Sequence, residues 1–371
     1  MSKDILFLSS NRYGDFPSRK TRFSKYLSEK GFRVVYVDSP HTYLGYLKKG
    51  FKVESYGLEQ VFPNFYVLRS FPILPFFKKY LPFNKIDSQI YYSKIASALK
   101  EISFDPALIF TYIPFFPDAL TKFKSKIIYD CVDDHASFGG LINPSFVNAL
   151  EKKTVEVSDV VITTGNEFLK DKLKKFGKEP IQIPNGVDYA LFSNWLNHKE
   201  SLNIKNQIVY VGAIANWFDI DLVKYIADSF KDYEILLIGF ASVDISELLS
   251  KENVKFLGKL TQEQFAPILW QSKAAIIPFK VNDLTRKIDP LKAYEYLASG
   301  VPVVSTPVGN VSQLPVYVAE AKEDFVKELK RAIDEDTIEK KVKRTLNAKE
   351  YSWENRLETI FKIVESLISN G

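Results

Sequence analysis

Apolar and polar positions along this chain follow two alternating rhythms. Short, nearly unbroken apolar runs, rich in β-branched and aromatic residues, occur at 4–10, 33–39, 65–69, 106–112, 126–131 and 159–164. Such runs mark strands buried on both faces, as in a parallel sheet. Between them, apolar residues recur at helical spacing over 19–30, 85–102, 146–158 and 166–176. In the 85–102 stretch, Ile90, Ile95, Ala98 and Leu99 are the expected inner face. A polar, weakly patterned stretch at 193–206 reads as a linker, and then the rhythm restarts. Strands are expected at 207–211, 234–239, 254–257, 274–279, 301–306 and 316–319, and helices at 220–230, 262–271 and from 290 to the glycine at 300. Charged helices follow from 322, and Ser352 caps a last one. This alternation predicts an α/β fold with two mostly parallel sheets and right-handed crossovers.

Length and composition fit that picture. The 371 residues are enough for two domains with substantial cores, and 46% apolar with 26% charged residues is a soluble globular composition. No apolar run is long enough to span a bilayer, and the chain enters its first strand directly after Met1-Ser2-Lys3, so no secretory signal is expected. A single cysteine, Cys131, excludes an internal disulfide framework and suits a reducing cytoplasm. No cysteine–histidine cluster points to a metal. The net charge of +5 conceals an asymmetry: residues 1–100 hold 17 Lys and Arg against 7 Asp and Glu, and the remainder 33 against 38. A basic first segment suggests an anionic partner. Within it, 71–85 (F-P-I-L-P-F-F-K-K-Y-L-P-F-N-K) interleaves aromatics, prolines and lysines, a composition suited to peripheral contact with a membrane surface. No basic helix or RNA-binding signature accompanies the charge, so nucleic acid is not an expected partner.

The most informative stretch is 282–306, N-D-L-T-R-K-I-D-P-L-K-A-Y-E-Y-L-A-S-G-V-P-V-V-S-T. Asp289 is a suitable N-cap and Pro290 a suitable first helical residue, Gly300 ends the helix, and a buried strand follows. The helix N-terminus with Arg286 and Lys287 just upstream forms a site for phosphate or diphosphate. Glu295 lies more than a turn further in, within reach of an attached ribose.

This segment resembles the nucleotide-binding signature of GT-B glycosyltransferases, in particular the GT4-like group that includes teichuronic-acid and exopolysaccharide enzymes. Asp289 to Thr306 carries the match. The I-P-N-G-V-D run at 183–188 resembles a second motif of that group. Many members hold two glutamates separated by seven residues; here Glu295 is the second and Lys287 stands at the first. The resemblance implies a GT-B fold: two Rossmann-like domains, 1–192 for the acceptor and 207–350 for the nucleotide sugar, facing across a cleft, with a helix at 351–371 returning to the first. It implies a donor site built from Gly212, Ala213, Arg286, Lys287, Pro290, Leu291, Lys292 and Glu295, with Gly258, Lys259 and Leu260 holding the base. The loop at 11–18, with Arg12, Gly14 and Arg19, is expected on the acceptor side. Asp130 to His135 ends the strand at 126–131 in a cluster of acids and a histidine. Asp134 is the first candidate for a general base, then Asp133 and His135, against the plainer reading of a capped turn.

The expected activity is therefore transfer of a sugar from a nucleoside diphosphate, UDP most of all, to a glycan or lipid-linked acceptor, with no metal and no resident cofactor. Lys287 in place of an acid suits a negatively charged donor sugar such as a uronic acid. The alternatives are a catalytically inactive sugar-nucleotide-binding subunit and a GT-B nucleotide-sugar epimerase.

Overall fold

The computed structural model describes residues 3–14, 18–44, 56–137 and 140–369. Residues 15–17 of the expected acceptor-side loop lie outside them. The chain divides into two compact units, residues 1–183 with 357–371 and residues 184–356.

Unit 1 is built on an eight-stranded sheet. In spatial order its strands are Ile181–Gln182, Val160–Thr163, Lys126–Cys131, Leu108–Thr111, Asp4–Leu8, Arg33–Val37, Phe65–Leu68 and Leu58–Phe62. All pairings are parallel except the last, where Leu58–Phe62 runs antiparallel to its neighbour. The order reverses between Asp4–Leu8 and Leu108–Thr111, because the chain builds first to one side of its opening strand and then to the other. The central strands are fully buried, which is why their sequences read as continuous apolar runs. Helix Arg19–Glu29 starts in a capping box between Ser18 and Thr21. Helix Leu81–Glu101 starts a turn earlier than expected, because Pro82 falls in its first turn, where a missing N–H costs nothing. Ile95, Ala98 and Leu99 face the core as expected, whereas Ile90 is only half-buried. The last helix belongs here from Leu357: Phe361 meets the rings of Tyr26 and Phe32 edge-on, Tyr26 donates to Glu358 over 3.1 Å, and Ile360 and Val364 are buried.

Unit 2 has a six-stranded, wholly parallel sheet ordered Val254–Gly258, Glu234–Ile238, Lys205–Val211, Ser272–Ile277, Val303–Ser305 and Tyr317–Val318. Its order reverses between Lys205–Val211 and Ser272–Ile277. Residues 184–206, expected as the end of the first domain and a linker, belong to this unit instead. Phe192 and Trp195 are buried in it, and the Trp195 indole donates to Thr345. Polar residues around those two anchors masked them in the sequence. Among the described residues no helix is long and apolar enough to cross a membrane.

Neighbouring strand ends in unit 2 approach so closely that side chains are excluded there. Gly239 has φ +141°, and a Cβ on it would lie 2.0 Å from the Gly212 carbonyl oxygen. Gly239→Ala is expected to destabilise the protein by about 1–3 kcal/mol from backbone strain alone, read as a lower urea midpoint, with more lost if the 212 loop is displaced.

Candidate functional site

In doubly wound sheets ligands settle beyond the carboxyl ends of the strands, where the strand order reverses. Unit 2 has a cavity of about 300 Å³ at that place, lined by Ala213, Trp217, Phe279, Leu284, Thr285, Ile288, Pro290 and Lys292. Ala213 follows one strand of the reversal and Phe279 the other. The turn at Gly212 is held from both sides: its N–H donates to the Ile238 carbonyl over 2.8 Å, and the Tyr210 hydroxyl donates to the Ala213 carbonyl over 2.6 Å. Gly212 has φ +142°, and a Cβ there would come within 2.9 Å of Cε and Nζ of Lys292. The missing side chain is the room the lysine occupies.

Lys292 sits in the first turn of helix Leu291–Ala298. Its ammonium lies over the rings of Phe279, 4.2 Å from the centroid, and Tyr210, at 4.9 Å. Burial pulls its pKa down to about 7, against the opposing pull of the Glu295 charge. A cation held on aromatic faces in an apolar cavity is poorly solvated, so it has much to gain from an anion.

The helix itself is anchored by the residues of its signature. Asp289 was expected as N-cap; that position falls to Pro290, and the Asp289 carboxylate is used otherwise. It accepts from the Asn185 backbone N–H at 2.8 Å and the Tyr294 hydroxyl at 2.7 Å. The Asn185 side-chain amide donates to the Asp289 carbonyl at 3.1 Å, and Asn310 donates to the Tyr294 hydroxyl. The I-P-N-G-V-D motif therefore grips the 282–306 segment at Asp289. Tyr296 accepts from the Val211 N–H at 2.7 Å, tying the helix to the central strand. Between the two tyrosines, Glu295 is 6% exposed and accepts from Gln262 at 2.7 Å.

Of the expected donor residues, the cavity gathers Ala213, Pro290 and Lys292, with Gly212 backing the lysine. Arg286 and Lys287 form the single 3-10 turn before the helix, Arg286 exposed and Lys287 half-buried, and Leu291 is exposed at its start. Gly258, Lys259 and Leu260 stand at the end of the edge strand and do not line the cavity. Trp217, Phe279, Leu284, Thr285 and Ile288 were not anticipated; the usable signal was bulky apolar residues placed just beyond strand ends.

In unit 1 the acidic cluster also lies past a strand end, beside the reversal. Asp134 is 8% exposed and engaged: Lys172 lies 2.6 Å from one carboxylate oxygen, and Ser137 donates to the other. Lys172 also pairs with the buried Glu151 at 2.6 Å, which accepts from Tyr129. Burial alone would lower the Lys172 pKa, but Glu151 and Asp134 outweigh it and hold it raised. Asp133 is exposed; surrounding protein raises its pKa, and Lys20 pulls it back. His135 is buried, and burial, followed by the charges of Lys78, Lys20 and Lys172, takes its pKa down to about 3, so it is neutral at physiological pH. On the side expected to meet the acceptor, Arg12 is half-buried and Gly14 exposed, with φ +95°. Arg19 differs from the expectation. It forms a buried bidentate pair with Asp130, at 2.7 and 3.2 Å, donates to the Ile183 carbonyl and lies over Phe23. Its charge is committed to the fold.

Three kinds of relative bear on this arrangement. The family described as glycosyl transferases group 1 matches residues 205–335, the span that contains the cavity and the signature helix. The chain is 26% identical over 318 residues to TuaH of Bacillus subtilis (strain 168), named as a teichuronic acid biosynthesis glycosyltransferase, covering 77% of this chain and 80% of that one. Among solved structures, sucrose-phosphate synthase from Thermosynechococcus elongatus superposes with TM-score 0.70 at 15% identity, covering 99% of this chain and 100% of the other. Anabaena HepE in complex with UDP-glucose superposes with TM-score 0.65 at 13% identity, over 98% and 99%. A glycosyltransferase from Rickettsia africae gives TM-score 0.69 at 14% identity over the full length of both chains. These structures share the fold, and the family match covers the domain that holds the cavity. The chain thus shares the fold of solved GT-B glycosyltransferases, and its residues 205–335 match the group 1 glycosyl transferase family.

Proposed function

We propose that the protein is a hexosyltransferase that moves a sugar from a UDP-sugar to a glycan or lipid-linked acceptor in cell-surface polysaccharide synthesis. The observation that carries this reading is the cavity at the strand reversal of unit 2, where the Gly212 turn, the start of helix Leu291–Ala298 and the Lys292 ammonium converge. The HepE complexes with UDP and UDP-glucose support the choice of nucleotide, and the name of TuaH supports the polysaccharide context.

In this reaction the bond between the anomeric carbon and the diphosphate breaks, and its electron pair leaves on a phosphate oxygen. The acceptor hydroxyl forms the new bond and gives up its proton. The growing diphosphate charge is met by Lys292, by Arg286 and Lys287, and by the backbone amides of the helix's first turn. Gln262 orients Glu295 toward the ribose hydroxyls, and the Gly258–Leu260 turn holds the base. Asp133, exposed and with a raised pKa, suits the proton-accepting role better than Asp134, whose two oxygens are engaged by Lys172 and Ser137. Neutral His135 is a hydrogen-bonding group rather than a charge. The scheme uses no metal and no resident cofactor.

A nucleotide that binds only the folded state raises the melting midpoint. Across a panel of nucleotides, UDP and UDP-sugars are expected to give the largest shift, and Glu295→Ala to weaken UDP binding by about tenfold or more, the loss of one hydrogen bond to a charged group. No shift with any member of the panel counts against the reading.

The Lys292 pKa of about 7 fixes a pH dependence. Folding depresses this pKa, so the free site is mostly neutral above pH 7, whereas a bound diphosphate favours the ammonium. Above pH 7 the terminal phosphate, with its second pKa of ~6, is already ionised. UDP binding should therefore take up a proton, and affinity should fall as pH rises from 7 to 9. Calorimetry in buffers of differing ionisation enthalpy reads the uptake, and Lys292→Met should abolish both effects. A uronic-acid donor is expected to turn over faster than its neutral parent and to lose that advantage in Lys287→Ala; equal turnover in both proteins removes the uronic-acid assignment.

A further inference from the structure

At the start of helix Leu81–Glu101, unit 1 turns a run of apolar side chains outward. Tyr80, Leu81 and Ile86 are 48%, 47% and 50% exposed, and Phe83 is 36% exposed. Asn84 alone points inward in this stretch; its amide donates to the carbonyls of Phe77 at 3.1 Å and Phe115 at 2.8 Å. That buried anchor sets which side of the turn faces out. The rings of Phe76, Tyr80 and Phe83 lean on one another, with centroids 5.9 to 6.3 Å apart. Phe76 holds a left-handed backbone at φ +72°, a costly conformation for an aromatic residue. Next to the patch, Leu141 is 54% exposed, on the segment where Asn143 donates to the Lys78 carbonyl.

Within the segment itself the charge has one sign. Lys78, Lys79 and Lys85 flank the patch, and no acid occurs between Phe71 and Ile86. The first acid beyond, Asp87, is buried and accepts from the Leu74 N–H at 2.8 Å. The helix begins without a side-chain cap and without an acid in its first turn, so the positive end of its dipole adds to the lysines. Exposed aromatic and aliphatic side chains ringed by lysines match the boundary of an anionic bilayer. Aromatic rings favour the headgroup level, and lysines favour anionic lipid. An acidic protein partner would use the lysines but would gain less from the aromatic cluster.

We propose that Phe76 to Ile86 is a peripheral docking site for an anionic lipid bilayer. Tyr80, Leu81, Phe83 and Ile86 enter the headgroup region, and Lys79 and Lys85 pair with lipid phosphates. The site lies wholly in unit 1 and does not depend on the donor assignment.

The test is co-sedimentation of the full chain with vesicles of phosphatidylcholine alone and of phosphatidylcholine mixed with phosphatidylglycerol. The wild type should sediment with the mixed vesicles and not with the zwitterionic ones. Lys79→Ala with Lys85→Ala should weaken partition roughly 30-fold, about fivefold for each lysine. Tyr80→Ser with Phe83→Ser should weaken it about tenfold or more. Melting midpoints and UDP binding should stay at wild-type values, which separates loss of docking from loss of fold or of the donor site. Wild type left in the supernatant with both vesicles overturns the proposal, as do variants that partition like wild type. Self-association in sedimentation velocity that disappears in the Tyr80/Phe83 variant, without vesicle binding, would make this face a contact between copies and also overturn it.

Discussion

The Asp289 carboxylate is the hinge-pin of unit 2's signature helix. It closes one hydrogen bond onto Asn185 and another onto Tyr294, while the Asn185 amide returns to the Asp289 carbonyl. Two segments more than a hundred residues apart in sequence thereby share one polar cluster. The helix side of the cavity leans on it. The start of the signature helix, the turn before it and the lysine in its first turn are placed by where Asp289 is held. The fold meets the cost of burying these polar groups by pairing them with one another, so removing one would leave others stranded.

The two units treat charge in opposite ways at their strand ends. Unit 1 neutralises it: Arg19 with Asp130, and Lys172 between Asp134 and Glu151, are ion pairs buried at the rim of the sheet. Such pairs add little net stability, but losing one partner costs several kilocalories, so they fix geometry. Unit 2 instead sets Lys292 against two aromatic faces, with the Glu295 charge partly offsetting the effect of its burial. A cation kept under-solvated in that way is ready for an anionic ligand, whereas an ion-paired one is not.

Much of this was legible in the sequence. Parallel strands buried on both faces leave long apolar runs, and the turn, helix and strand of the 282–306 stretch announce themselves through proline, glycine and periodicity. Ala213, Pro290 and Lys292, three of the residues expected around a donor, line one cavity because their elements converge on the strand reversal. What escaped was set by tertiary partners. Asp289 looked like a cap because aspartate commonly is one; Asn185 and Tyr294 take its carboxylate instead. Arg19 looked like a free charge because its partner Asp130 lies 111 residues away. Trp195 sat in a polar stretch that read as a linker, yet its ring is buried in unit 2 and donates to Thr345 there. Periodicity reports which face of an element is buried, and it is silent on which distant group a polar side chain will meet.

Unit 1 is assembled from two separate lengths of chain, with the whole of unit 2 between them. On the ribosome this imposes an order. Unit 2 is complete when residue 356 has emerged, while the larger sheet still awaits its final helix. Until Leu357 onward arrives, Phe32 and Tyr26 lack Phe361, and the nascent first unit presents an uncovered apolar strip. The half that is translated first is thus the half that matures last, and its exposure to chaperones and proteases lasts as long as the synthesis of the other.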